Sequence, residues 1–367
     1  MANITPKEKM IPSVQNWNQN HNYTVNNLTE SLGKITNVLS ALNCSQGKTQ
    51  YDLQTNSELL NQIIQKGHPL RSLLYTTTDE SLSIWEIYNQ YIIPLLEKKY
   101  KRSDSKITSS AAYFRTIHIH DTDMISNRIM YEVCNRVKYL SKCPLIWKWM
   151  ATHHNKLNKE QSITIGKTAE CWHKGVDGND TITTSNLRAW KNHTKQVLKA
   201  IETITADTPD GIIAALILLT ENGSAVVKIE FADLINLRTQ QLIYLASQCF
   251  TLSYLHQTRA GIIYFVGTGF YANVHSKLRN YLLNICGHNT PIFVQNYEYD
   301  DGNILNAINN IINQRIEYYE KLSMVYEKLS TDGSAAMFNN YANMVIDRQF
   351  PDGSKKWSTE NNCPFFN

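Results

Sequence analysis

Apolar positions in the first third of the chain recur at helical spacing. Leu28, Leu32, Ile35, Val38, Leu39 and Leu42 fall on one face of a helix. Ser81–Tyr100 repeats the pattern, with Pro94 predicted to bend or end it. Near residue 109 the pattern changes, and short β-prone runs alternate with helical ones. Strands are predicted at Tyr113–Ile119, Ser162–Ile165, Thr203–Ala206, Ala225–Phe231, Thr251–Leu255 and Ile262–Val266. Helices are predicted between them at Met124–Leu140, Ser185–Ile201, Gly211–Thr220 and Arg238–Gln248. Alternation of this kind places helices on the faces of a sheet, an α/β fold. From Asn303 to Leu329 the residues Ile304, Leu305, Ile308, Ile311, Ile312 and Ile316 mark a helical face again. The expected organisation is a helical N-terminal extension over 1–108, an α/β core over 109–275 and a helical C-terminal extension over 276–367.

Composition excludes some classes. Hydrophobic residues make up 42% of the 367 positions, which rules out a disordered chain. Lys and Arg exceed Asp and Glu by 36 to 32, a surplus that permits a nucleic-acid partner without requiring one. The longest apolar run, Ile212–Leu219, is far short of a membrane span, so no membrane partner is expected. The opening Met1–Lys7 has no leader-like apolar stretch. The seven cysteines form no C-x-x-C pair and read as free thiols in a reducing, cytoplasmic setting.

Three local clusters bear on chemistry. Lys98-Lys99-Tyr100-Lys101-Arg102 is the densest basic run, either a solvated connector or a phosphate-binding patch. His118-Ile119-His120-Asp121-Thr122-Asp123 would turn two imidazoles to one strand face with Asp near, but no further Cys/His group has matching spacing, so no metal is assigned. Tyr297-Glu298-Tyr299-Asp300-Asp301 reads as a turn or as an acidic partner-binding loop.

The stretch Asn222–Phe270 carries a resemblance. It reads N-G-S-A-V-V-K-I-E-F, T-Q-Q-L-I-Y-L-A-S-Q-C-F, L-S-Y-L-H-Q-T-R and I-Y-F-V-G-T-G-F. Upstream, Gly175-Val176-Asp177-Gly178-Asn179-Asp180-Thr181-Ile182-Thr183 precedes Asn186-Leu187. In order and approximate spacing these segments resemble the FtsJ-like, Rossmann-type RNA 2′-O-methyltransferases. The likeness is nearest to the mRNA cap 2′-O-methyltransferases of eukaryotes and large cytoplasmic DNA viruses, and covers about residues 120–275. It implies a Rossmann-type methyltransferase-like sheet, S-adenosylmethionine as coenzyme and RNA as substrate. It also implies a Lys-Asp-Lys-Glu tetrad whose central Lys is the base.

Residue by residue the match is partial. Lys228 matches the central Lys, at the end of the predicted Val226-Val227 strand; an ordinary strand-end lysine is the alternative. Asp207, in Thr205-Ala206-Asp207, matches the tetrad Asp; a helix N-cap before Pro209 is its alternative. Ile262 falls where the resemblance expects Glu, and Ile129, beside Arg128, where it expects the first Lys. Lys142–Trp149 aligns with the coenzyme turn, where Pro144 and Trp147 remain as coenzyme-binding candidates while Leu145 and Ile146 replace glycines. Bulky side chains there resist close backbone approach.

The resemblance with these departures implies a degenerate member of the family: a viral, non-catalytic subunit that binds RNA or a larger capping or transcription protein. It would need no cofactor. Two alternatives stand beside it. One is an active S-adenosylmethionine-dependent methyltransferase using Lys228 and Asp207, helped by Arg128. The other is a structural viral protein that reuses the fold.

Overall fold

A computed structural model of the chain describes residues 2–4, 15–16, 58, 61–101, 112–121, 124–142, 144–152, 162, 166, 168–173, 175–176, 181–273, 276–288, 292, 294–295, 302–331 and 335–363. The helix expected at Leu28–Leu42 and the loop at Tyr297–Asp301 lie outside these residues, as do most of the Ser162–Ile165 strand and part of the Gly175–Thr183 segment. The chain divides into two compact units, residues 1–18 with 80–307 and residues 19–79 with 308–367. These boundaries differ from 108 and 275: residues 80–101 and 276–288 group with the sheet.

The sheet unit runs through β1 (Ala2–Ile4), α1 (Asp79–Ile87), a π turn (Tyr88–Ile92), α2 (Ile93–Tyr100), β2 (Ala112–Ile119), α3 (Ile125–Ser141), β3 (Leu145–Thr152), β4 (Trp172–His173) and α4 (Thr184–Val197). It continues through β5 (Thr203–Ala206), α5 (Gly211–Leu218), β6 (Ser224–Ile229), α6 (Leu237–Cys249), β7 (Phe250–Gln257), β8 (Ile263–Phe270) and α7 (Ser276–Ile285). The strand order is β1-β7-β8-β6-β5-β2-β3-β4. Strands β2 to β6 are mutually parallel, while β8 runs antiparallel to both β6 and β7. This is an α/β fold with a mostly parallel mixed sheet, compatible with a Rossmann-like fold. The chain builds outward from β2 through β3 to β4, then crosses back to β5 on the other side of β2. That reversal opens a crevice at the carboxyl ends of β2 and β5, where open α/β sheets bind ligands.

The elements follow from sequence. Ala225, Val226 and Val227 are all buried, as a parallel strand covered on both faces requires. Every residue of α5 is buried, which its unbroken apolar run permits. In α3, Ile129, Met130, Val133 and Val137 form the buried stripe. Thr183 caps α4 by accepting from the Asn186 N–H, and Asn236 caps α6 by accepting from the Arg238 N–H. Pro94 does not end its helix. The π turn precedes it, and the Ile93 N–H reaches Tyr88 O, five residues back, so the helix widens where proline's ring would otherwise clash.

The second unit has its own core. Ile63 packs with Leu322, Val325 and Leu329 of α8 (Gly302–Thr331) and with Ala342, Ile346 and Phe350. The last three belong to the segment running through α9 (Ala335–Gln349). Arg71 ties this unit together, pairing with Asp347 at 2.9 Å and donating to Lys66 O at 2.7 Å. Among the described residues no helix is long and apolar enough to cross a membrane.

Candidate functional site at the carboxyl edge of the sheet

The register sets a row of polar side chains across the carboxyl edge. Ile119 pairs with Ala206 and Ala206 with Val227, so His120, Asp207 and Lys228 follow at one level. Lys228 is opposite Tyr264, and Tyr264 is opposite His256. Directly paired residues project to the same face of a sheet.

α1 lies against this row and supplies its counter-charges. Lys228 Nζ stands 3.3 Å from Glu80 Oε1 and 3.3 Å from Glu230 Oε1. Ser83 Oγ shares a hydrogen bond of 2.8 Å with Thr258 Oγ1. Glu86 accepts from the Arg259 N–H at 3.1 Å and is 3.0 Å from His256 Nε2. Beyond the π turn, Tyr91 Oη meets His256 Nδ1 at 2.9 Å. Residues 80, 83 and 86 share one flank of the helix, so α1 delivers Glu80, Ser83 and Glu86 together, while Glu230 follows β6 and Tyr91 sits on the π turn.

The electrostatics of Lys228 follow. Burial pushes its pKa down, but the carboxylates of Glu80, Glu230 and Asp207 outweigh burial and hold it above the ordinary lysine value. The ammonium therefore keeps its proton at neutral pH. Burial pushes the Tyr264 phenol well up, with Glu80 and Asp207 adding to it. Its hydroxyl is buried with no hydrogen-bond partner among the described residues. Such a group costs about 1–3 kcal/mol when left unmet.

Lys228 and Glu80 are both largely covered, while Glu230 is 64% exposed. Replacing Lys228 with Met strands a half-buried carboxylate and is expected to cost about 1–3 kcal/mol. E230Q should cost almost nothing, since exposed pairs contribute little. Because the Lys228 pKa is raised, its contribution is fully present below the ordinary lysine pKa and disappears only as pH rises through the folded value. The K228M deficit should thus be constant across neutral pH. Urea unfolding at pH 7 checks this; equal costs for the two variants would contradict the assigned geometry.

Asp207 is the first residue beyond β5 and lies in the field of Lys228. It is not the helix N-cap. That position belongs to Asp210, whose carboxylate instead pairs with Arg238 Nη2 at 3.0 Å.

Pro144 and Trp147 are not near this row. The expected strand-to-helix turn at Lys142–Trp149 is instead the entry to β3, at the amino-terminal edge of the parallel strands. Trp147 donates from Nε1 to Thr116 Oγ1 at 2.9 Å and stacks on Trp149 with ring centroids 5.6 Å apart. Leu145 and Ile146 therefore plug no crevice. The alternating Ile-Trp-Lys-Trp pattern was the strand signal, and the proline-aromatic match concealed it. Arg128 is an exposed residue of α3.

The turn that does open the crevice runs from His120 to Met124. It contains no glycine, and His120 and Met124 adopt left-handed backbone at φ 61 and φ 55. The Asp121 carboxylate accepts from the Ser126 and Asn127 N–H groups, both at 2.9 Å. These are first-turn donors of α3, where a ligand anion would otherwise bind. Glu80 escaped the sequence reading altogether, and Asp121 entered it only in the His118–Asp123 run weighed for a metal, not as the residue that caps α3.

No protein-family model matches the chain, and no curated protein matches it.

Proposed function

We propose that the chain is a degenerate cap 2′-O-methyltransferase-like protein, viral in ancestry, that serves as a non-catalytic binding or regulatory subunit in RNA capping or transcription. The observation that carries this reading is the Lys228 ammonium held between Glu80 and Glu230. A base that takes a ribose hydroxyl proton must itself be unprotonated near neutral pH, which calls for a lowered pKa. Lys228 is shifted the other way. Lys228 is met by Glu80 and Glu230 and lies opposite Tyr264, where the tetrad of the resemblance has a second Lys and a Glu.

The residues at the crevice also do not fit S-adenosylmethionine, the coenzyme of the resemblance. Close backbone approach needs glycine in the first turn, and the His120–Met124 turn has none. The first donors of α3 are already engaged by Asp121. Lys228 at the carboxyl end of a buried strand, with Asp207 in its field, is what favours the alternative of an active methyltransferase.

Isothermal titration with S-adenosylmethionine and S-adenosylhomocysteine separates the two. No heat is expected. Micromolar binding, or methyl transfer to capped RNA that disappears in Lys228→Ala, would establish the active enzyme instead.

A further inference from the structure

The amino-terminal edge of the sheet, opposite the Lys228 row, carries a different chemistry. Tyr113, 41% exposed near the start of β2, has the Arg115 guanidinium 5.2 Å and the Lys148 ammonium 4.9 Å from its ring centroid. Its register partner on β3 is Ile146, also 41% exposed. The carboxyl end of α3 adds Lys138 and Tyr139, the latter 82% exposed, and the exposed Lys142 follows. Lys142 stands two residues before Pro144, whose carbonyl receives the Ala112 N–H at 3.1 Å, so these residues adjoin the Tyr113 edge. Among the described residues no carboxylate forms an ion pair with Arg115, Lys138, Lys142 or Lys148. The acid nearest by contact, Glu202, is already engaged by Lys99, by the Arg115 N–H at 3.0 Å and by Tyr100 Oη at 3.4 Å.

We propose that this edge binds single-stranded nucleic acid, with Tyr113 and Tyr139 as stacking platforms and Arg115, Lys138, Lys142 and Lys148 on the phosphates. Magnitudes favour the exchange that binding requires. An exposed cation over an aromatic ring contributes about 0.5–1 kcal/mol. A nucleobase stacked on such a ring contributes about 1–3 kcal/mol. A base that displaces Arg115 and Lys148 from the Tyr113 ring therefore gains on the ring and frees two cations for the backbone. Exposed tyrosines interleaved with uncompensated cations suit bases and phosphates together, whereas an acidic protein surface would use the cations alone. The inference deepens the proposed function by giving its RNA partner a surface, and rests on that reading only for the class of partner. Its failure would leave the coenzyme titration untouched, and the reverse also holds.

Fluorescence anisotropy of the full chain with labelled oligouridine and oligothymidine tests it. Both strands are expected to bind, more weakly as salt rises. Tyr113→Ala should weaken binding about tenfold, one stacked base being the loss. Tyr113→Phe keeps the ring and should keep the affinity. Lys148→Glu should weaken binding by more than tenfold and flatten the salt dependence. Lys356→Glu, the same charge change at an 82% exposed lysine of the other unit, should leave it unchanged. Absence of binding by the wild-type chain overturns the proposal. So does a result in which Lys148→Glu weakens binding and Tyr113→Ala does not, because that pattern describes non-specific attraction of phosphates with no base stacked on the ring.

Discussion

Acidification from pH 6.5 to pH 4 is expected to remove about 3 kcal/mol of stability through one side chain, His118. The imidazole is fully buried on β2, with Nε2 2.9 Å from Thr116 Oγ1 and Nδ1 2.6 Å from Thr205 Oγ1. Either hydroxyl can accept as well as donate, so hydrogen bonding alone would tolerate an imidazolium. Burial does not, and it pulls the pKa from 6.5 to about 3. The sign follows from linkage. Below pH 6.5 the unfolded chain takes up a proton that the native ring refuses. The contribution is complete above pH 6.5, declines by about 1.4 kcal/mol per pH unit, and is exhausted near the folded pKa. His118→Gln removes the titration. At pH 8 this variant should be about 1–3 kcal/mol less stable than the wild type, for one buried hydroxyl left unmet. The gap should then close as pH falls, because the variant lacks the acid limb. Urea midpoints across this range read the difference directly. Two curves that fall in parallel would show that His118 is not held neutral.

The same strand shows what periodicity can and cannot reach. β2 and β5 were legible because their apolar runs are short, β-branched and bounded by turn residues; Thr203–Ala206 begins and ends where the pattern predicts. β3 was hidden by an alignment, since Pro144 and an aromatic outweighed the plain alternation that follows them. The candidate site was legible by half. A lysine closing an apolar strand signals a sheet edge, and Lys228 stands there. Its partner Glu80 comes from a helix 148 positions earlier in the chain, and Ser83 meets Thr258 across 175. Pairings of that range depend on how a helix lies on the finished sheet, which no local pattern encodes. The helix was visible from Ser81, but buried carboxylates are rare and nothing in its own pattern marks Glu80 or Glu86 as facing the sheet. What made burial tolerable is the row of Lys228, His256 and Thr258 waiting on the sheet, so the site is a property of the tertiary fold.

Gly211→Ala should be the most damaging single methyl in the sheet unit. A Cβ at this position would stand 2.2 Å from Ala206 Cβ and 3.3 Å from Val227 Cγ1. Ala206 Cβ is fixed to the backbone of β5, so no rotamer can relieve the first contact. The helix itself must move. α5 has nowhere to go, because all its residues are buried and Asp210 at its head is tied to Arg238. Overpacking of this kind costs about 3 kcal/mol and occasionally more. For a unit of this size that corresponds to a melting temperature lower by about 6–12 °C. Gly166→Ala is the matched control, since no atom of the described residues lies within 4 Å of the added carbon; its effect should stay within about 0.5 kcal/mol. Val227 precedes Lys228, so a displaced α5 should also loosen the Lys228–Glu80 pair, and K228M should then cost less in the Gly211→Ala background than in the wild type. A Gly211→Ala chain that melts with the wild type would mean that α5 does not approach β5 and β6 so closely. The carboxyl edge around Lys228 would then be arranged differently.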